Sequence, residues 1–434
     1  MTTTGAKMKR GRLPGLAAVM AAAIGPIIVP VLASVLTLAT VLERPAAASG
    51  FLIYDLSGEA LGRASAVSAS VADATAVWFN PARLVFLGGS SVSVGGVFVT
   101  ARSQLRPADG TPPTSSQRSN NLLPTFYAHV ALGDRVALGM GGYTAFGIGI
   151  DWPPNWVGRE NAIGASLETF ALNPTVSVKL HPRVGLAAGF DAVRAAVDFR
   201  TGLPTLVGGD VRLGGGTWGY GWNAALQINA IPERLHVALT YRSRVRLDFT
   251  GGRADFQPEH IEFARELPDQ GGSAQITLPD ILTVGLMGRP RPDLTLGLDA
   301  NWVRWSSYSM VDITFDTAPS KVLRPDGQDS LTLRAGVDWA THFCEGLHLR
   351  TGVIYDQGAV PASGLGPGLP DGNRIDFAAG VGFARGPFKI DLGYLLVLFL
   401  DANATGGIEG PVGTYSTSAN LVGLTLSAAT SLGL

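Results

Sequence analysis

The sequence predicts an all-β protein: a transmembrane antiparallel β-barrel of about 14 strands, preceded by a segment of short helices. Three observations carry this. Hydrophobic residues make up 46% of the 434-residue chain and charged residues only 15%, against roughly 25% charged in soluble domains. Glycine is abundant, at 56 residues, yet beyond residue 42 no apolar run is long enough for a membrane helix. From Ser90 onward, segments alternate apolar and polar residues with period two, placing one face in lipid and the other in a wet lumen.

Residues 1–48 read as a secretory signal peptide. Lys7, Lys9, Arg10 and Arg12 form a basic start, Leu13 to Leu42 an apolar stretch, and Ala46-Ala47-Ala48 a small-residue cleavage site. The apolar stretch exceeds the roughly 20 residues that a membrane helix needs. Pro26 and Pro30 interrupt it, which favours a cleaved signal over an anchor. A translation start downstream of Met1 would also account for its length.

Residues 90–434 read as the barrel. In Ser330 to Trp339, Leu331, Leu333, Ala335, Val337 and Trp339 share one face, opposite Thr332, Arg334 and Asp338. Val237 to Phe249 alternates too and places Arg242, Arg244 and Arg246 together in a lumen-facing row. Tight connections at Gly133-Asp134, His181 to Arg183, Pro232-Glu233, Arg289 to Asp293, Thr341 to Gly346 and Arg385 to Pro387 alternate with long ones near 102–121, 147–166, 201–215, 250–272, 316–327, 357–373 and 401–413. Outer-membrane barrels have short periplasmic turns and longer external loops. An unpaired backbone group in hydrocarbon costs several kcal/mol, so the sheet is expected to close. The chain ends Ser431-Leu432-Gly433-Leu434, without the terminal aromatic residue that many barrels carry.

A net charge of −1 gives no basis for a nucleic-acid partner. The six histidines show no metal-ligand spacing, and the single cysteine, Cys344, excludes an internal disulfide. His342 lies near Cys344 in a predicted turn. No Gly-x-Ser-x-Gly, ATP or dinucleotide motif occurs. No catalytic or metal site, no cofactor and no enzymatic activity are expected.

Residues 49–89 break the strand pattern. They run from Ser49-Gly50-Phe51 through an alanine- and serine-rich stretch, Ala60 to Thr75, suited to compact helices, and stop at Asn80-Pro81-Ala82. Here the chain resembles the FadL-type family of outer-membrane long-chain fatty acid and aromatic hydrocarbon transporters. Gly50-Phe51, Ser57, Leu61-Gly62-Arg63-Ala64, Ala72-Asp73 and Asn80-Pro81-Ala82 carry the resemblance. Trp156-Val157-Gly158-Arg159, Asn173-Pro174, Leu278-Pro279, Trp305-Ser306 and Leu369-Pro370-Asp371-Gly372-Asn373-Arg374 then follow in the family's order. Departures are Leu52-Ile53, Ala74 and the non-aromatic C-terminus.

The resemblance implies that residues 49–89 form a hatch plugging the barrel, with Asn80-Pro81-Ala82 against a kinked third strand. Glycine within a strand often marks a bulge or bend, so the kink is expected at Gly141-Gly142. It also implies passive uptake of hydrophobic small molecules across the outer membrane of a Gram-negative bacterium, with lateral exit at the kink. The expected partners are the substrate, outer-membrane lipid, lipopolysaccharide and the barrel assembly machinery. Candidate ligand contacts are Phe51, Leu52 and Ile53 at the mature N-terminus, and Phe146, Trp152 and Trp156 around one long loop. Phe263 and Leu267 lie on one face of a loop helix in another. Arg242 and Arg244 are candidates to hold a carboxylate, or to pair with acidic neighbours such as Asp248. A hydrophilic porin and an outer-membrane barrel lipase are the competing functions.

Overall fold

The computed structural model describes residues 50–406 and 410–430. All of these lie in one compact unit, Pro45–Leu434. The signal peptide assigned to 1–48 and the terminal Ser431–Leu434 lie outside the described residues.

Fourteen antiparallel strands close into a barrel. They are β1 (Ser90–Pro107), β2 (Ser119–Leu132), β3 (Val136–Tyr143, continued by Gly147–Asp151), β4 (Gly164–His181), β5 (Val184–Gly202), β6 (Asp210–Ile231) and β7 (Leu235–Arg242, continued by Val245–Gln257). Then come β8 (Gln270–Leu278, continued by Ile281–Arg291), β9 (Leu294–Val303), β10 (Ser330–Ala340), β11 (Leu347–Asp356), β12 (Arg374–Arg385), β13 (Phe388–Phe399) and β14 (Gly413–Ala429). Closure is by β1 on β14, from Ser91↔Ala429 to Pro107↔Gly413. No helix among the described residues is long and apolar enough to cross a membrane.

Alternation sets the two faces. On β14, Leu424 and Leu426 are exposed on the outer surface while Thr425 and Ser427 are buried inside. Several long connections are shorter than the sequence suggests, because strands run on past the expected ends: β7 reaches Gln257 and β8 starts at Gln270.

Residues 50–86 lie in the lumen at the end carrying the short turns. They form α1 (Gly58–Gly62), α2 (Ala76–Phe79) and a 3-10 turn, Pro81–Phe86. The expected helical run Ala60 to Thr75 is mostly tight turns, because Ala64 and Ser65 adopt left-handed φ of 53° and 51°. Wall glycines let this segment approach closely. A Cβ on Gly336 would lie 2.2 Å from the Arg63 carbonyl oxygen, and one on Gly297 2.0 Å from that of Ala66.

Candidate functional site

The third strand breaks, but not at Gly141-Gly142. Both glycines remain in the ladder: Gly141 opposes Tyr127 and Asn173, and Gly142 opposes Phe126 and Leu172. The break is Thr144-Ala145-Phe146. Between Tyr143↔Ala171 and Gly147↔Glu168, three residues of β3 face two of β4. That is a one-residue bulge, which bends the strand. Pairing with β2 ends at Phe126↔Gly142. Beyond it, β2 residues 119–125 keep only their β1 partners, and the wall has a gap.

The groups freed by the bend find partners in the N-terminal segment. The Ile53 N–H donates to the Ala145 carbonyl at 2.8 Å, and the Gly147 N–H donates to the Phe51 carbonyl at 3.0 Å. Leu52 and Phe146 thus form an isolated antiparallel bridge, which meets the requirement that buried backbone groups be paired. Thr169 reinforces the bulge through its hydroxyl, which donates to the Phe146 carbonyl at 2.5 Å.

Asn80-Pro81-Ala82 does not face this gap. The 3-10 turn runs under β4 to β6 instead. The Asn80 amide donates to the Ser68 carbonyl at 2.9 Å and to Gln227 Oε1 at 2.8 Å, and Ala82 packs on Ala187 and Ala225. Val77 and Leu84 occupy the space left by Gly139 and Gly141. Those glycines serve close packing rather than the bend.

Among the described residues, two larger cavities flank the N-terminal segment, beside a small one of about 40 Å³ at Trp78, Tyr143 and Arg242. One, of about 180 Å³, lies toward the long loops and is lined mainly by apolar groups, Phe199, Phe249 and Ile313 among them. The other, of about 470 Å³, lies at the β2–β3 gap beside Leu122, Pro124, Gly149 and Asp371. Phe51, Ile148, Ser166, Leu167 and Leu369 line both and form the partition between them. Phe51 is held there by an aromatic cluster, with ring centroids 4.8 Å from Trp305, 5.2 Å from Tyr308 and 6.2 Å from Phe146. Burial pushes the Asp371 carboxyl up to about 8, although the Ala359 and Gly372 N–H groups oppose this.

The remaining candidates fall elsewhere. Leu52 and Ile53 line the gap-side cavity. Trp152 and Trp156 line neither cavity: they stack at 4.3 Å, and their indole N–H groups donate to the Pro367 and Ala162 carbonyls. They are packing elements of the outer loops. Leu267 packs against Leu203, Val211 and Ala254, and Phe263 lies half-buried in a short 3-10 turn.

The arginine row is not a row. Ser243-Arg244 interrupts β7 and flips its side-chain parity, so Arg242 points inward while Arg244 and Arg246 are exposed. Arg246 pairs with Asp248 at 2.8 Å. Arg242 donates to the carbonyls of Val77 (2.8 Å) and Trp78 (2.9 Å) in α2, and to Asp191 at 3.1 Å. Its guanidinium is thus engaged by the N-terminal segment and by β5.

On the opposite wall, the Lys389 ammonium meets Glu59, Asp73 (2.8 Å) and Asp391 (3.2 Å). These three carboxylates have the convergence of a cation site, and Lys389 fills its centre. Burial alone would raise the Glu59 carboxyl; Lys389, Arg350 and Arg63 outweigh it and hold the group well below the usual carboxylate range. Asp55 adds a contact to Arg334 at 3.3 Å. Sequence reading missed Ile148 and Leu369 in the partition, and Trp305 and Tyr308 as the rings that hold Phe51. Trp305 and Leu369 were visible only within the motifs of the resemblance.

Comparison with known proteins agrees with this architecture. Residues 39–429 match the model of the family described as outer membrane protein transport protein (OMPP1/FadL/TodX). The long-chain fatty acid transport protein of Escherichia coli K12 is 24% identical over 410 residues, covering 84% of this chain and 90% of that one. A Pseudomonas aeruginosa FadL homologue superposes with a TM-score of 0.80 at 19% identity, covering 88% of this chain and all of that one. The Ralstonia pickettii toluene transporter TbuX gives 0.66 at 17% identity, covering 87% and 100%. A family match spanning most of the chain, on a closed barrel with a filled lumen, places this protein in the OMPP1/FadL/TodX family of outer-membrane transport proteins.

Proposed function

We propose that this protein takes up hydrophobic small molecules passively across the outer membrane and releases them sideways into the bilayer at the β2–β3 gap. In this reading residues 49–89 are the hatch, and the Phe51 partition separates an outer binding cavity from an exit cavity. The carrying observation is that one partition, built on the Leu52–Phe146 bridge, borders both cavities beside an interrupted ladder. A long acyl chain resists transfer to water by about 0.8 kcal/mol per methylene, so a path that avoids the aqueous lumen suits such a cargo. Relatives are named for long-chain fatty acids and for toluene, and both classes fit an apolar outer cavity. A hydrophilic porin accords poorly with a lumen filled by the hatch.

The test is to fill the gap. A Cβ on Gly149 meets only Asn121 Nδ2, at 3.7 Å, and Gly149 lines the gap-side cavity, so Gly149→Trp starts a bulky side chain into the opening without a backbone clash. Uptake of oleate or toluene by cells expressing this variant is expected to fall at least about five-fold, with heat-modifiable migration unchanged. Wild-type uptake by a folded Gly149→Trp barrel would exclude the lateral exit.

A further inference from the structure

The wall has a second discontinuity, on the other side of the outer cavity. Strands β6 and β7 pair from Asn223↔Arg242 to Ile231↔Leu235, and again from Arg253↔Gly214 to Gln257↔Asp210. Between these stretches, β6 residues 215–222 and β7 residues 245–252 form no ladder with each other, although each stays paired on its far side, with β5 and β8. Register accounts for part of this. The Ser243 N–H still donates to the Trp222 carbonyl at 2.9 Å; beyond that bond, β6 residues 215–221 face the longer β7 stretch 244–252, so the two edges cannot stay in step.

The strands overlap here instead of meeting edge to edge. Trp218, Tyr220 and Trp222 of β6 are exposed, so alternation turns Gly219 and Gly221 inward. A Cβ on Gly219 would lie 2.5 Å from Val245 Cγ1 and 2.7 Å from the Arg246 carbonyl oxygen. The upper half of β7 therefore lies against the inner face of β6. Buried Val245 and Leu247 close the joint. Glycine is required at 219 because any side chain would hold the two layers apart.

The overlapping hairpin is joined to the barrel at a matched break. β7 and β8 pair at Arg242↔Ile281 and again at Val245↔Leu278. Both strands are thus interrupted at one level, by Ser243-Arg244 and Pro279-Asp280. The hairpin's inner face, with Phe249 and Ile276, lines the outer cavity, as do Gly214, Gly215 and Gly252 at the upper end of the joint. Outside stands the aromatic row of β6, with Phe190 stacked on Tyr220 at 5.8 Å. Exposed Trp and Tyr of this kind mark the membrane–water interface.

We propose that this β6–β7 joint is a side entrance, through which apolar molecules dissolved in the outer leaflet reach the outer cavity when the hairpin Val245–Leu278 swings on its break. The inference rests on the uptake reading above but concerns entry rather than exit. Its logic is partitioning: an apolar solute is far more concentrated in the membrane than in water. An opening at interface depth draws on that larger pool.

The test locks the joint. In a Cys344→Ser background, which removes the chain's single cysteine, Gly221→Cys is paired with Val245→Cys: a Cβ on Gly221 would lie 2.9 Å from Val245 Cγ2 and 3.7 Å from the Arg244 carbonyl oxygen, which leaves room for a disulfide across the joint. A pyrene-labelled long-chain fatty acid is delivered to expressing cells either on albumin or preloaded into the outer leaflet. Oxidation is expected to slow entry of the preloaded probe at least about five-fold, and entry from albumin less than about two-fold, with reduction restoring both. Independently, Leu247→Ala is expected to speed entry of the preloaded probe. Equal rates in the oxidised and reduced states, or an equal loss by both routes, would overturn the side entrance, as would an unchanged rate in Leu247→Ala. A reduced protein that moves the probe by neither route would instead overturn the uptake reading, and the entrance with it.

Discussion

Lys389→Met tests whether the N-terminal segment, the proposed hatch, is held in the lumen by charge. Lys389 sits on β13, largely buried, and contacts three carboxylates, two of them on the hatch. Methionine keeps most of the side-chain length and removes the ammonium. Glu59 and Asp73 then lose their shared cation, while Arg63 and Arg350 still act on Glu59. Breaking a buried ion pair by removing one partner costs about 3–5 kcal/mol. At 1.36 kcal/mol per decade, the undocked fraction of the hatch rises by about 10² to 10⁴. The barrel ladder does not involve the Lys389 side chain, so folding and heat-modifiable migration should persist. The assay is trypsin cleavage within the hatch, at Arg63 or Arg83, since proteolysis tracks the open population when reclosing is fast. Planar-bilayer conductance should show open bursts in parallel. Lys389→Arg is expected to retain most of the closed behaviour. If Lys389→Met is cleaved as slowly as wild type and stays closed, the hatch is held by packing and by Arg242, and the electrostatic reading fails.

Two further outcomes are expected. Replacing Phe51 and Leu52 together by alanine removes the partition's ring and the bridge side chain; uptake should fall at least about five-fold while assembly stays normal, because truncating a buried Phe perturbs its neighbourhood by about 3–5 kcal/mol without touching the ladder. Unchanged uptake would assign both residues to packing alone. Asp371 supplies a pH dependence. Its carboxyl is raised to about 8 by burial, so between its unfolded value, roughly 3.9, and about 8 the folded state holds more protons and its contribution to stability falls as pH rises. Asp371→Asn should therefore flatten the decline in melting temperature across that window; identical slopes in both proteins would refute a neutral Asp371.

The strands were legible because alternation is a direct consequence of one face in lipid and one in the lumen, and Ser330 to Trp339 shows it without interruption. The bend of β3 was misplaced by three residues for a physical reason. Glycine marks where backbones approach, and Gly139 and Gly141 do admit Val77 and Leu84. The ladder itself fails at Thr144-Ala145-Phe146, where one surplus residue forms a bulge that no residue type announces. The arginine row failed because a parity flip at Ser243-Arg244 depends on tertiary pairing. Phe51 was legible as an apolar residue just after the expected cleavage site. Its partners Trp305 and Tyr308 come from a loop between β9 and β10, and no local pattern brings them together.

The contacts that seat the N-terminal segment in the lumen also constrain the order of folding. Glu59 and Lys389 are 330 residues apart, and the Gly58 N–H donates to Thr425, 367 residues away. The segment synthesised early therefore reaches its place only once the last strands exist, whereas each strand hairpin can form from local sequence. Contacts this distant carry the largest loop-closure penalty and form slowly. Until β14 meets β1, the side chains of Phe51, Leu56, Trp78 and Phe79 have no lumen to enter. During that interval they present a sticky tail to the periplasm, and any substitution that delays closure of the β1–β14 seam lengthens the time in which aggregation and proteolysis compete with assembly.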